Sequence, residues 1–260
     1  MEICRNSLAE IIEKDIRVIG FYGAPPREAL EAAARQFPLA QFFDLDIFFD
    51  APQNKLLPDA YCHIIRNCVD NALAAKHQLL CVVAATGEEK CDAGRYAARL
   101  LSAHLDGPVI STTNTKGGTP AQPLLCEAKG SLKQRAVRIM ESIIEPLSEQ
   151  ERSNAFISRC EPTVGFWGTP PHPIEVLDLF PPTTHIFGWT RCVEQNTPAD
   201  LNLEMTVNES LPTVYFAQGF CAKALLARDL AQKTGGMFVD THDTLGAATM
   251  AKIEAFIRLS

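Results

Sequence analysis

Two hydrophobic patterns alternate along this 260-residue chain. Continuous apolar runs of strand length, such as residues 78–86, recur between longer segments with helical spacing of their apolar residues, such as residues 59–76. Strands that are apolar on both faces and are separated by helices are typical of a parallel sheet covered on both sides. The pattern therefore predicts an α/β fold.

The same pattern sets the order of the predicted elements. Strands are predicted at 17–23, 40–49, 78–86, 107–113, 162–168, 184–190, 211–218 and 236–242. Helices are predicted at 26–37, 59–76, 91–105, 172–180, 220–235 and 247–259, and a long helical connector spans 131–161.

One short phrase occurs twice and indicates an internal repeat. Residues 18–26 read VIGFYGAPP, and residues 163–171 read TVGFWGTPP. Each copy joins a predicted strand to a turn rich in glycine and proline. We therefore predict two doubly wound, Rossmann-like lobes with parallel sheets, at 1–130 and 162–260, of which the second is shorter.

Composition narrows the classes of function. The net charge of −7 argues against a broad nucleic-acid interface. No apolar run approaches the roughly 18 residues that a membrane span requires. The first 18 residues mix acidic and basic side chains without an apolar core, unlike a signal peptide. The sequence thus predicts a cytoplasmic protein without a membrane or nucleic-acid partner.

The nine cysteines call for an explanation, since disulfides are disfavoured in the cytoplasm. Binding sites in such sheets lie at the carboxyl ends of the strands and, in two-lobed proteins, between the lobes. Four cysteines, two per lobe, follow predicted strands or begin predicted helices: Cys62, Cys91, Cys192 and Cys221. A helix N-terminus favours the thiolate, and several thiolates facing one crevice suit a soft metal. The alternative is that they are small residues tolerated near strand ends, and no CxxC motif decides between the two.

Other residues have a structural and a functional interpretation. Cys4 and Cys81 are predicted to pack in the core, as is Cys68, whereas Cys126 and Cys160 are assigned to packing or to the surface. His242 and Asp243 follow the last strand, where they could bind a ligand, although Asp243 or Thr244 could instead cap the final helix. The remaining candidates, which lie near proposed ligands or in turns, are His63, Arg66, His172 and Arg191.

Four segments carry a resemblance to a known family. FCAKALLARDLAQKTGGMFVDTHDTLGAATMAKIEAFIRL, KCDAGRYAARLLSAHLDGPVISTTNT, DAYCHIIRNCVDNAL and FGWTRCVEQN occur across most of the chain. In their order, the chain resembles the subunits of 2-hydroxyacyl-CoA dehydratase and benzoyl-CoA reductase, a family that includes the double-cubane cluster proteins. The resemblance implies an iron–sulfur cluster between α/β lobes and nominates Cys62, Cys91, Cys192 and Cys221 as its ligands.

The chain also departs from this family. Gly23 stands where the family often has a cysteine at the end of the first strand, and the segment 197–210 lacks a further cluster cysteine. A single 4Fe-4S cluster is therefore expected rather than a six-cysteine double cubane. A bulky acyl-CoA site is not assumed, because the chain is short for this family.

The leading hypothesis is a protein that uses this cluster for low-potential electron transfer or for reductive activation of a small substrate. The resemblance implies an ATP-dependent activator, or another low-potential electron donor, as its partner. A homo-oligomer is compatible with this interpretation, although no residue argues for one. The alternatives are a cluster-free small-ligand binding or sensor protein, and a protein that binds zinc through the same cysteines.

Overall fold

The computed structural model describes residues 1–47, 56–58, 61–87, 90–114, 124–197, 200–241 and 245–259. The chain forms two compact units, one of Met1–Thr115 with Ile143–Glu145 and one of Lys116–Ser142 with Pro146–Ser260. Each contains a four-stranded sheet in which all described pairs are parallel. The predicted α/β fold class is confirmed.

The first unit has the strand order β2-β1-β3-β4. Its strands are β1 Val18–Tyr22, β2 Gln41–Asp44, β3 Leu79–Ala85 and β4 Val109–Thr112. Its helices are α1 Leu8–Glu13, α2 Arg27–Gln36, α3 His63–Ala74 and α4 Asp92–His104. The chain leaves β1 toward β2 on one side and later returns to β3 on the other, so the strand order reverses between β1 and β3. Ligands of open α/β sheets bind at such a switch point.

Alternate residues of β1 pack on opposite faces of the first sheet. Ile19 and Phe21 join one apolar core together with Leu30 of α2. Val18 and Tyr22 join another, which contains side chains of α1, α3 and α4. This arrangement follows from the two-residue period of a strand and explains why β1 is apolar at every position except Gly20.

The second unit repeats this topology with the strand order β6-β5-β7-β8. Its strands are β5 Val164–Gly168, β6 Thr184–Phe187, β7 Thr213–Ala217 and β8 Met237–Asp240. Its α-helices are α5 Leu132–Glu141, α6 Glu149–Ile157, α7 Trp189–Glu194, α8 Leu201–Met205, α9 Ala222–Thr234 and α10 Ala247–Leu259. The matching strand orders confirm the predicted internal repeat.

The repeated phrase has the same role in both units. Phe21 and Phe166 are buried in β1 and β5, and each is followed by a buried aromatic residue with a polar tip. The Tyr22 hydroxyl donates a 2.9 Å hydrogen bond to the carbonyl of Gly94, and Trp167 Nε1 donates one of 2.8 Å to the carbonyl of Glu204. Each pair ties the central strand to a helix, because a buried aromatic N–H or O–H needs an acceptor.

The structure corrects three sequence predictions. The connector is not one helix but two, α5 and α6, and both belong to the second unit. Residues 174–179 form a 3₁₀ helix rather than an α-helix, since Pro173 and Pro181 leave room for only a short turn. The sixth strand ends at Phe187 instead of Thr190, because Gly188 turns the chain with a φ of 70° and α7 begins at once.

Over the described parts of the chain, every helix is too short or too polar to cross a membrane.

Candidate functional site

The first unit places Cys62 and Cys91 at the carboxyl edge of its sheet. Cys62 is the N-cap of α3, which follows β2, and Cys91 is the N-cap of α4, which follows β3. The Cys91 side chain is exposed, whereas Cys62 is half-buried. Both therefore begin helices as the sequence predicts.

Two tyrosines lie near cysteines of this unit. Burial raises the pKa of the Tyr61 hydroxyl, and negative charge on Cys62 or Cys91 would raise it further. The pKa of Tyr22 is also raised, first by burial and then by the thiols of Cys68 and Cys91. Both phenols thus remain protonated near neutral pH and are close enough to sense the charge of the cysteines.

Two carboxylates lie at the same edge of the sheet, one at the end of β2 and one just after it. Burial raises the pKa of Asp44 to about 6. The pKa of Asp46 is raised overall, first by burial and then by the negative charge of Asp44. The positive charge of Lys90 opposes this rise in part. The Asp44 carboxylate also accepts a 2.9 Å hydrogen bond from the backbone N–H of Asp46. These groups were missed in the sequence because Asp44 and Asp46 read as part of one long strand.

Buried Asn71 of α3 fixes the backbone that carries the two carboxylates. Its side-chain amide donates hydrogen bonds of 3.0 Å and 2.6 Å to the carbonyls of Leu45 and Ile47. Gly23, which directly follows β1 with a φ of +71°, lies next to the Lys90 side chain. A side chain at Gly23 would have its Cβ 3.3 Å from Lys90 Nζ, so glycine leaves this space to the lysine.

In the second unit, Cys221 occupies the position that corresponds to Cys91. It follows β7, the counterpart of β3, and is the half-buried N-cap of α9. Its backbone N–H donates a 3.0 Å hydrogen bond to the carbonyl of Gln218. The next loop residue, Gly219, donates its N–H to the Asp240 carboxylate at 2.8 Å, which ties the ends of β7 and β8 together.

Cys192 differs from the other three predicted ligands. It lies inside α7 with its side chain fully buried. Burial is the main cause that raises its pKa to about 12, and the nearby Glu204 carboxylate adds to the effect. The Cys192 thiol donates to the carbonyl of Asp200 at 3.8 Å. At neutral pH it is therefore a protonated core thiol, and its role as a ligand stays a prediction.

The charged residues that were predicted near the ligands either make other contacts or lie outside the part of the chain that the structure describes. Arg191 pairs with Glu127 at 2.9 Å and lies 6.0 Å from the centre of the Phe187 ring. His63 and Arg66 are half-buried in the first turn of α3. His172 precedes a cis Pro173, and its carbonyl accepts from Leu245 N at 3.1 Å. His242, Asp243 and Thr244 lie outside the described residues.

The remaining cysteines mostly behave as predicted. Cys4, Cys68 and Cys81 are buried, which confirms core packing, and Cys126, which was assigned to packing or to the surface, is buried as well. The carboxylate of Glu194 accepts hydrogen bonds of 2.6 Å and 3.1 Å from the backbone N–H groups of Leu125 and Cys126, so this carboxylate caps a 3₁₀ helix.

Cys160 forms a contact that the sequence did not suggest. Its sulfur lies 3.9 Å from Nε2 of His185. However, the same Nε2 must donate its proton to the carbonyl of Cys160, which it contacts at 2.7 Å. Burial lowers the pKa of His185, so the ring is neutral. His185 consequently cannot serve as a base toward the thiol in this geometry.

The described residues include cysteines suited to bind a metal, but they are not grouped into a metal site. In the described ranges, no three His, Cys, Asp or Glu side chains are grouped closely enough to hold a metal ion. Cys62, Cys91 and Cys221 have the donor type and the helix-start position expected of thiolate ligands, whereas Cys192 is enclosed in the core.

No model of a known protein family matches this chain, and no curated protein matches it either. The resemblance to the 2-hydroxyacyl-CoA dehydratase family therefore remains a prediction from the order of its motifs.

Proposed function

We propose that this chain is an iron–sulfur protein that uses a cysteine-bound cluster for low-potential electron transfer or for reductive activation of a small substrate. The observation that carries the proposal is the repeated placement of a cysteine at the start of the helix after the third strand of each unit. Cys91 and Cys221 hold these two positions at the N-caps of α4 and α9.

The helix-start positions supply a physical reason for ligand character. The first N–H groups of a helix have no partner within the helix and carry partial positive charge, which stabilises a thiolate. Both α4 and α9 are 13 residues long, so each has a developed dipole. Cys62 begins the 12-residue α3 in the same way and adds a second such thiol to the first unit.

The residues around Cys62 and Cys91 have roles that do not depend on a particular substrate. Protonated Tyr61 and Tyr22 lie near the thiols and supply hydroxyl groups in a partly buried setting. Lys90 precedes Cys91 and places a positive charge near Asp46. When bound, the cluster would supply one-electron chemistry, and its partner in the proposal is an ATP-dependent activator or another low-potential donor.

The experiment is a ligand map by substitution. Cys62, Cys91, Cys192 and Cys221 are changed to Ala one at a time, and iron and acid-labile sulfide are measured after purification without oxygen. Cys160→Ala is the matched control, because Cys160 is half-buried like Cys62 and Cys221 but precedes β5 instead of following a strand. We expect Cys91→Ala and Cys221→Ala to lose iron and the control to keep it.

The result that would contradict this proposal differs from the result that would only reveal a folding defect. Iron that survives in both Cys91→Ala and Cys221→Ala would exclude these thiols as ligands, and equal loss in Cys160→Ala would indicate a general folding defect. If Cys192→Ala keeps its iron while Cys91→Ala and Cys221→Ala lose theirs, the proposal stands and the buried thiol is removed from the ligand set.

The second candidate is a small-ligand binding protein without a cluster. Asp44, Asp46 and Lys90 favour it, since they gather opposite charges at the carboxyl edge near the switch point of the first sheet. It predicts a colourless protein without iron. Zinc bound by the same cysteines would also leave the protein colourless, but metal analysis would detect it.

A further inference from the structure

A polar groove lies along the outer side of α4 in the first unit. Its volume is about 480 Å³, within the range of roughly 300–1,000 Å³ typical of small-molecule sites. One wall is a stripe on α4 that includes Arg95, Tyr96 and Arg99, and the other includes Thr86 and Ser111 from the ends of β3 and β4. The cysteines discussed above do not line it.

Positive charge dominates this groove. Arg95 and Arg99 are four residues apart and therefore project from the same face of the helix. Asp92 is the acidic residue of the lining, and it contacts Arg95 at 3.5 Å. Both partners are at least half exposed, so this ion pair is weak and leaves the guanidinium available. In the described part of the chain, Arg99 has no ion pair.

Hydroxyl and aromatic groups complete the lining. The Ser111 side chain is exposed on edge strand β4, where its hydroxyl can donate toward the groove. The Thr86 hydroxyl donates a long 3.5 Å hydrogen bond to the carbonyl of Thr112. Tyr96 is 66% exposed although it is a large aromatic residue. Its ring offers a flat surface beside the two guanidinium groups.

We propose that this groove binds a phosphate group, either free or esterified to a small molecule, through Arg95, Arg99 and Ser111. Guanidinium groups bind phosphate through charge-assisted and often bidentate hydrogen bonds. The chain carries a net charge of −7, so two arginines on one face of α4 are a local exception to its overall negative charge. The inference is independent of the proposed cluster.

Calorimetric titration of the full chain tests the proposal with three probes: inorganic phosphate, adenosine monophosphate and adenosine. Arg99→Ala should weaken binding of adenosine monophosphate about tenfold or more, because it removes a charge-assisted contact. Arg35→Ala is the matched control, since Arg35 is an exposed arginine on α2, which packs on the other face of the sheet. The control should bind as the wild type does, and added salt should weaken binding in both.

The probes also identify the source of the phosphate. Equal affinities for inorganic phosphate and adenosine monophosphate would assign the groove to free phosphate. Tighter binding of the nucleotide, lost in Tyr96→Leu without a change in phosphate binding, would assign it to a phosphate ester with an aromatic ring. The proposal is overturned if neither phosphate compound binds at millimolar concentration, if Arg99→Ala binds normally, or if adenosine binds as well as its monophosphate.

Discussion

Arg135 of α5 allows a direct test of whether the predicted connector is an integral part of the second unit. Its side chain is only 6% exposed. The guanidinium donates to the carbonyls of Gly130 at 3.3 Å, Leu125 at 3.1 Å and Thr184 at 2.7 Å. Thr184 begins β6, so this one side chain joins α5 to the sheet. Arg135→Met retains most of the volume and removes all three donors.

The expected loss follows from the burial of each bond. The fully buried bond to Thr184 is worth about 2 kcal/mol, because its loss leaves a carbonyl without a donor. The two partly buried bonds contribute about 0.5 kcal/mol each, so Arg135→Met should destabilise the second unit by about 3 kcal/mol. Relief of the buried charge would reduce this loss, since burial already lowers the pKa of Arg135.

Urea denaturation followed by tryptophan fluorescence measures this effect in the correct unit. Both tryptophans of the chain, Trp167 and Trp189, belong to the second unit. Lys133→Met is the control, because it removes a half-buried cation whose ion-pair partners are exposed carboxylates, and it should change the transition far less. An Arg135→Met transition that coincides with that of the wild type would refute the inference that α5 is anchored to this sheet.

Three further predictions concern backbone strain, pH and thiol access. Gly168→Ala should destabilise the second unit by about 3 kcal/mol or more, because φ is +128° and the new Cβ would overlap the carbonyl oxygen of Phe216. Gly235→Ala, at φ +65° in open space, should cost only about 1 kcal/mol in the same denaturation assay, and equal losses would contradict the clash. The pKa of Glu151 is lowered from 4.5 to about 2, first by Arg138, so its stabilising effect is complete above its unfolded pKa and is lost as the pH falls through about 2. Glu151→Gln should therefore flatten the acid side of the stability curve, by about 1 kcal/mol after screening of this partly exposed pair, and an unchanged acid slope would argue against the pairing. Under reducing conditions without metal, mass spectrometry after brief alkylation should find Cys91 modified first and Cys192 protected, whereas early modification of Cys192 would contradict its burial.

The fold was predictable because local patterns of apolar residues indicate its strands and helices. Each β-strand lies in a continuous apolar run, and the repeated phrase marked the first strand of both units. The 3₁₀ helix at 174–179 was missed because helical spacing does not show that a segment enclosed by prolines is too short for an α-helix. The connector was predicted wrongly for a related reason, since helical periodicity does not reveal the break between α5 and α6 or the unit to which they belong.

The site was predictable only in part. Cysteines that begin helices could be recognised from strand ends and helix starts, as Cys62, Cys91 and Cys221 show. Burial of Cys192 could not be foreseen, because the sequence predicted a strand up to Thr190, whereas α7 begins at Trp189 and contains Cys192. Asp44 and Asp46 were hidden in an apolar run, and only the fold brings Asp46 near Lys90.

The central proposal is tested most directly by measuring iron, acid-labile sulfide and the visible spectrum of the chain purified without oxygen. The proposal predicts a brown protein with about four iron and four sulfide per chain, bound through cysteine thiolates. Half of that content would indicate a cluster shared by two chains, and twice as much would indicate a double cubane. A colourless chain that takes up no iron even after cluster reconstitution would contradict the proposal and favour zinc or a metal-free ligand-binding protein.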